Sequence, residues 1–306
     1  MKRYIIRHLI AAVITLLGAT FVLFLIVRLI PGDPAVVIAG PMASSEEVER
    51  IRGQLGLDRP FLEQYWTYLS RLVRGDLGVS ARTQQPVLLE ILARFPYTLK
   101  LAVVSAALAT VTGVAAGVIA ATRRYSVFDY LASFGSLLGV SMPVYWLGIL
   151  LIVFFAVRLQ WLPAAGAEGP GSIVLPAVTL TAYTLALVAR MTRATMLEVL
   201  EQDYVRTAWA KGLPRPRIIF QHALPNALVP IITVVALQFG SLLGGAVLTE
   251  SVFAWPGIGL LLVDSIFARD FPMVQGIVLV YSAMIILLNL GVDLLYAYVD
   301  PRIRYS

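Results

Sequence analysis

Long apolar stretches constrain this chain more than any other feature of its sequence. Each can cross a hydrocarbon core about 30 Å thick, at a rise of about 1.5 Å per helical residue. Of the 306 residues, 59% are apolar and only 14% are charged, against about 25% charged residues in a typical soluble protein. The chain is therefore predicted to be an all-α membrane protein with six transmembrane helices, near residues 9–30, 97–121, 129–157, 173–190, 227–249 and 274–297.

Two of these stretches have special features. Pro143 interrupts the third, which predicts a kinked or broken span. The first follows the basic residues Lys2 and Arg3 and is too long for a signal-peptide core. We expect it to be retained as a helix, with cleavage as the alternative.

Basic residues between the spans predict the orientation, because Lys and Arg concentrate in short cytoplasmic loops. Thirteen of them fall on one side of the predicted membrane: Lys2, Arg3, Arg7, Arg123, Arg124, Arg190, Arg193, Arg206, Lys211, Arg215, Arg217, Arg302 and Arg304. The short loops on the opposite side hold Arg158 and Arg269. Both termini are therefore predicted to be cytoplasmic.

The segment 31–94 is predicted to lie outside the cytoplasm and to be helical. Ser44 and Ser45 precede Glu46 and Glu47, a pattern typical of a helix start. A second helix is expected over 60–73, with aromatic and leucine residues on one face. Two compatible interpretations are a cap packed on the membrane core and a surface that contacts an external partner.

Several kinds of chemistry are excluded by what the sequence lacks. The chain has no cysteine, which excludes disulfides and thiolate chemistry. It has no H-E-x-x-H, G-x-S-x-G or G-x-x-x-x-G-K-[ST] motif. No catalytic, cofactor-binding or metal-binding residue is therefore predicted, and any ATP-driven work would require another polypeptide to bind the nucleotide.

The segment between the fourth and fifth spans is unusually polar for this chain. A helix is predicted over 196–211, ending at Gly212 in a left-handed residue. A short helix is predicted from Pro216 to Ala223, ended by Pro225. Helix, turn and short helix together form a compact knob on the cytoplasmic face.

Within this knob, R-T-A-x3-G-x9-H-A-L-P runs from Arg206 to Pro225. It resembles the "EAA" loop of ABC importer permeases, whose pattern is E-A-A-x3-G-x9-I-x-L-P. Arg206 and Thr207 replace the first Glu and Ala, and His222 replaces the Ile. R-T-A at this place is common in the peptide and nickel branch. Resemblance to that branch continues through PGDP at 31–34, LGLDRP at 55–60, GDLGVS at 75–80, PYTL at 96–99, residues 248–272 and residues 292–305.

The resemblance implies a type I ABC importer permease fold and a "B"-type permease of the dipeptide or glutathione kind, in a bacterial or archaeal inner membrane. It implies a second homologous permease, two ATP-binding subunits that hold ATP and Mg²⁺, and an extracytoplasmic substrate-binding protein; no nucleic acid is expected. It assigns contact with the ATPase to Arg206, Thr207, Ala208, Lys211, Gly212, His222, Leu224 and Pro225. In domain terms, it implies a tail and first helix at 1–30, the outer segment at 31–94, a transmembrane domain at 95–299 with a coupling loop at 191–226, and a tail at 300–306.

Polar or helix-breaking residues inside the spans are candidates for the translocation pathway or its gate, because such groups usually face a bundle interior or water. They are Ser141, Met142, Pro143, Tyr145, Gln238, Glu250 and Asn289. A cap of its own loop is the alternative role for Glu250. For the whole protein, the competing interpretations are a permease for nickel chelates or oligopeptides, an ion-coupled secondary transporter and a membrane-embedded enzyme.

Overall fold

The computed structural model describes residues 2–29, 35–36, 43–55 and 58–299. The PGDP motif at 31–34 and the predicted tail at 300–306 therefore lie outside the described residues. The described part is helical, without a β-strand beyond one bridge between Val79 and Pro86. Its helices are α1 Lys2–Leu29, α2 Ser45–Leu55, α3 Phe61–Val73, α4 Val87–Thr122, α5 Val127–Ser141, α6 Val144–Leu151 with a π-helical continuation Ile152–Arg158, α7 Val174–Leu200, α8 Asp203–Ala210, α9 Arg215–Arg217 with a π-helical continuation Ile218–Ala223, α10 Leu224–Val252, α11 Ile258–Phe267 and α12 Phe271–Val299.

The all-α membrane fold predicted from hydropathy is confirmed. Among the described residues, four helical stretches are long and apolar enough to cross a membrane, and a fifth is obtained if α5 and α6 form one broken span. The remaining predicted span is α1, which has 28 residues, although its described apolar part is the shorter range Ile10–Ile26. At about 1.5 Å per residue, α1 is roughly 42 Å long and exceeds the thickness of the hydrocarbon core.

The third predicted span is broken, as Pro143 indicated. α5 and α6 meet at an angle of 109°. Met142 and Pro143 between them are extended, with ψ of 124° and 132°, because a proline disfavours helical backbone in the residue before it. The Met142 N–H still donates to the Leu138 carbonyl at 2.9 Å, so α5 ends with its last turn closed.

The second span differs from its prediction. We expected it to begin near Pro96, but α4 begins at Val87 and contains Pro96 in its interior. An interior proline removes one helical hydrogen bond. The added turns are stabilised by burial of Val87 and Ile91, which are 0% and 1% exposed.

The first compact unit comprises residues 1–96 and 260–290. Both helices predicted in its outer segment are present as α2 and α3, and the Ser44 hydroxyl accepts the Glu47 N–H at 3.2 Å at the start of α2. Asp270, before α12, organises the loop that precedes α4. Its carboxylate accepts the hydroxyl of Ser80 and the N–H of Ala81, the latter at 3.0 Å.

The second compact unit comprises residues 97–259 and 291–306. Its most enclosed span is α7, which packs against α5, α6 and α10. Glycines allow the close approach of α7 to its neighbours. A Cβ on Gly117 of α4 would lie 2.5 Å from Thr192, and one on Gly139 of α5 would lie 2.8 Å from the Ala182 carbonyl.

Candidate functional site

The knob predicted to face the cytoplasm begins with a helix break that the sequence did not indicate. The predicted helix over 196–211 is wrong, because α7 continues to Leu200 and α8 starts anew at Asp203. Gln202 between them is extended, with ψ of 150°. Its carbonyl accepts the N–H groups of Val205 and Arg206 at 3.0 and 3.2 Å, so it closes the first turn of α8.

Gly212 ends α8 in the left-handed conformation that was predicted for it, with φ of +72°. The Gly212 N–H donates to the Trp209 carbonyl at 2.9 Å, and the Leu213 N–H donates to the Ala208 carbonyl at 3.3 Å. These two bonds form a Schellman motif, in which the chain reverses directly after the helix.

A small apolar core holds the two halves of the knob together. It consists of Val205, Ala208 and Ile218, with Leu200 and Leu213 packed against them. The three central side chains are at most 6% exposed. Ala208 therefore supports the knob from inside, and a larger residue there would separate α8 from the segment after the turn.

The outer surface of the knob is charged and aromatic. Arg206 and Asp203 form an exposed ion pair at 3.4 Å, with side chains 73% and 97% exposed. Thr207 donates to the Asp203 carbonyl at 3.0 Å, and Lys211 and Gly212 are exposed. Two aromatic side chains that sequence analysis missed, Trp209 and Phe220, are 47% and 60% exposed. Their presence in an otherwise polar segment was a signal for a contact surface.

The predicted short helix and the fifth span are one continuous helix of 38 residues, Arg215–Val252. The predicted stop at Pro225 is wrong. The preceding residues Ile218–Ala223 are π-helical, so the Leu224 N–H donates to the Ile219 carbonyl five residues earlier. This wider turn allows the helix to continue although Pro225 has no N–H to donate. Asn226 donates its side-chain amide to the His222 carbonyl at 2.7 Å, and His222 itself is half-buried.

A second apolar cluster anchors the start of α10 to two other helices. Ala223, Ala227 and Ile231 are at most 1% exposed. They pack with Val188 and Met196 of α7 and with Val118 and Ala121 of α4; Leu224 lies at the edge of this cluster. The small alanine side chains let α10 approach α7 closely.

An ion pair between α5 and α7 was also missed. The Arg193 guanidinium donates two hydrogen bonds to the Asp129 carboxylate, at 2.6 and 3.0 Å. Asp129 is 5% exposed and Arg193 is 31% exposed. The Tyr125 N–H donates to the same carboxylate at 3.0 Å. In the sequence, Arg193 was counted only as a cytoplasmic charge, and the 64 residues that separate the partners give no periodic signal.

The candidate pathway residues are distributed over both compact units. Ser141 and Pro143 are exposed at the break between α5 and α6, Met142 is half-buried, and Tyr145 is 50% exposed. On α10, the Oε1 atom of Gln238 is buried and accepts no hydrogen bond from the described residues.

The remaining two pathway candidates are Asn289 and Glu250. Asn289 is exposed on α12. Glu250 at the end of α10 is 0% exposed, and its carboxylate accepts the Gly259 N–H at 2.6 Å. Its carbonyl accepts the Trp255 N–H at 2.8 Å, and the Trp255 indole donates to the Tyr97 carbonyl at 3.0 Å. These contacts fit the loop-capping alternative for Glu250. Gly259 leaves the space that the Glu250 carboxylate occupies, because a Cβ on Gly259 would clash with it.

Comparisons with known proteins agree along the whole chain. Residues 113–305 match the family "Binding-protein-dependent transport system inner membrane component", and residues 1–102 match the family "Binding-prot-dependent transport system membrane comp, N-term". The chain is 46% identical over its full length to the complete glutathione transport system permease protein GsiC of Escherichia coli (strain K12), and 45% identical to that of Shigella flexneri serotype 5b (strain 8401).

Solved structures show the same fold. An inward-facing structure of the MetNI methionine ABC transporter has a chain that matches with a TM-score of 0.59 at 19% identity. The match covers 70% of this chain and 97% of that one. A chain of an amino acid ABC transporter matches with a TM-score of 0.54 at 16% identity, over 67% and 92% of the two chains. This chain therefore belongs to the inner membrane components of binding-protein-dependent transport systems, and it is a permease subunit of an ABC importer.

Proposed function

We propose that this chain forms half of the translocation pathway of an importer for glutathione or similarly small peptides. The full-length identity of 46% to the GsiC permeases supports this substrate class best. The other half of the pathway would be a second, homologous permease. An extracytoplasmic binding protein would deliver the substrate, and both termini of this chain would lie in the cytoplasm.

Two partner subunits would bind and hydrolyse ATP with Mg²⁺, and this chain would act as a transport subunit without an ATPase site of its own. The coupling loop at 191–226 would dock on those subunits. Its exposed surface, with Arg206, Lys211, Trp209 and Phe220, has the aromatic and arginine content typical of protein interfaces. The buried core around Ala208 would keep the knob rigid while it transmits movement from the ATPase to the membrane span.

The single observation that supports coupling best is the continuous helix Arg215–Val252. It joins the knob to a membrane span without an intervening loop. Closure of the ATPase dimer would therefore move the span directly, provided that the contacts between the knob and the ATPase differ between the open and closed dimer. We propose that the broken span at Ser141–Tyr145, together with Gln238 and Asn289, lines the pathway that this movement opens and closes, and that Glu250 holds its outer loop.

Docking can be tested by cross-linking, because the chain contains no cysteine of its own. A photoreactive label on Phe220→Cys should cross-link to an ATPase subunit in the assembled transporter. The same label on Trp161→Cys is the matched control, since Trp161 is a similarly exposed aromatic residue, at 70% against 60% for Phe220, in a loop predicted on the opposite side of the membrane. Equal cross-linking from both sites would contradict the docking proposal.

Substrate class can be tested in proteoliposomes that contain both permeases, both ATPase subunits and the binding protein. We expect uptake of radiolabelled glutathione that requires ATP hydrolysis and persists when ion gradients are collapsed by ionophores. Unlabelled longer peptides and nickel chelates should compete weakly. Strong competition by one of them would reassign the substrate, and uptake abolished by ionophores would indicate an ion-coupled mechanism.

A further inference from the structure

Helix α3 of the extracytoplasmic segment has an apolar surface wider than its packing within the chain requires. Phe61, Tyr65 and Tyr68 recur at i, i+4 and i+7 and form one stripe. Leu62, Trp66 and Val73 recur at i, i+4 and i+11 and form a second stripe, about 100° around the helix from the first. The two stripes are adjacent, so the apolar surface spans nearly half of the helix circumference.

The first stripe packs on α1. The Tyr65 hydroxyl lies 3.1 Å from the Thr20 hydroxyl and donates to the Leu17 carbonyl at 3.2 Å. Phe24 of α1 meets the rings of Phe61, Tyr65 and Tyr68 at centroid distances of 5.3, 5.2 and 5.6 Å. These α1 residues lie within its apolar stretch Ile10–Ile26. Helix α3 therefore contacts the apolar stretch of α1 that is predicted to span the membrane.

The second stripe is uncovered. Leu62, Trp66 and Val73 are 75%, 73% and 87% exposed. On α1, large apolar side chains at or beside the packed face are also exposed, including Phe21 and Leu25 at 40% and 37%. Helices α3 and α1 thus both leave apolar side chains exposed beside their contact.

We propose that α3 lies in the outer membrane–water interface and that lipid covers Leu62, Trp66 and Val73. Contact with α1 sets the helix at membrane depth, and a tryptophan flanked by aliphatic residues is typical of helices that lie in the interface plane. The opposite face holds Glu63, Arg71 and Arg74, which can remain in the headgroup region or in water.

The charges of α3 indicate which force dominates. The helix itself contains one acid, Glu63, and one base, Arg71. Attraction to anionic headgroups is therefore weak, and burial of the apolar stripe supplies the binding. The interaction should persist in bilayers made only of zwitterionic phosphatidylcholine. This proposal concerns the placement of α3 and is independent of the transported substrate.

Spin labels on single cysteines test the proposal in the complete transporter in phosphatidylcholine nanodiscs. Leu62→Cys and Val73→Cys should collide readily with oxygen, which dissolves in lipid, and rarely with a water-soluble nickel chelate. Glu63→Cys and Arg74→Cys are matched controls on the polar face of the same helix, and they should show the opposite preference.

Two outcomes would overturn the proposal. Stripe labels as accessible to the nickel chelate as the controls would place the stripe in water. Stripe labels shielded from both reagents would show that a protein partner covers it. A second measurement leaves the stripe unmodified: in a variant that keeps Trp66 as its only tryptophan, lipids brominated near the headgroup should quench Trp66 emission more strongly than lipids brominated near the chain ends.

Discussion

Gly212 has φ of +72°, and no atom lies within 4 Å of the place that a Cβ would occupy. A substitution there meets backbone strain but no steric clash. Asp129 and Arg193 show a different kind of residue-level constraint. Their two hydrogen bonds pair a buried carboxylate with a partly buried guanidinium, so removal of either side chain leaves the other charge without this partner.

Gly212→Val should uncouple ATP hydrolysis from transport or prevent assembly with the ATPase. A β-branched residue at positive φ costs about 1–3 kcal/mol and would distort the Schellman turn. The ratio of substrate transported to ATP hydrolysed measures the effect in proteoliposomes. Gly212→Asn is the control, because asparagine adopts this conformation readily, and it should retain coupling. Normal transport by an assembled Gly212→Val complex would exclude a coupling role for this turn.

Asp129→Asn should lower the stability of the assembled transporter by about 1–3 kcal/mol, a range that allows for the partial exposure of Arg193. Thermal unfolding in nanodiscs measures it. Exchange of the pair, Asp129→Arg with Arg193→Asp, should recover part of the loss. Asp203→Asn, in the exposed pair with Arg206, should change stability by no more than about 0.5 kcal/mol. Equal effects of Asp129→Asn and Asp203→Asn would contradict the structural role of the buried pair.

At the scale of elements, helix α10 and the segment before it show what local signals predict and what they miss. Hydropathy predicted the span because a long apolar run has few alternatives to a membrane helix. Pro225 suggested a stop, yet the π-helical turn Ile218–Ala223 removes the need for its N–H and the helix continues. The turn at Gly212 was predictable since glycine, which has no Cβ, adopts positive φ without strain. The pairing of Asp129 with Arg193 depends on how distant helices pack, and sequence spacing does not report it.

Pro225→Ala should make the π-helical turn unnecessary by restoring an N–H to the helix. If the π-helical turn becomes regular α-helix, the hydrogen bonds of the helix before Pro225 shift by one residue. This shift would rotate the knob by about 100° relative to the span. We expect stable assembly of the permease pair but poor docking of the ATPase, measured as co-purification. Pro230→Ala is the control, as Pro230 lies in the same helix without an adjacent π-helical turn. Unchanged docking by Pro225→Ala would show that the turn does not set the orientation of the knob.

At the scale of the molecule, charge distribution predicts where each segment lies relative to the membrane. The outer segment and the knob are assigned to opposite sides, and the absence of cysteine makes the assignment directly testable. Ala43→Cys should react with a membrane-impermeant maleimide added to intact cells. Pro214→Cys, exposed in the knob, should react only after the membrane is permeabilised. The reverse pattern would overturn the predicted topology.

The continuous helix Arg215–Val252 also has a mechanical consequence. With 38 residues it is about 57 Å long, nearly twice the thickness of the hydrocarbon core. If it turns as a lever about its middle, a tilt of about 10° displaces its two ends by roughly 5 Å each, in opposite directions. One end belongs to the knob, and the other ends beside the loop that Glu250 holds. A single small rotation would thus narrow the pathway at one membrane face while widening it at the other.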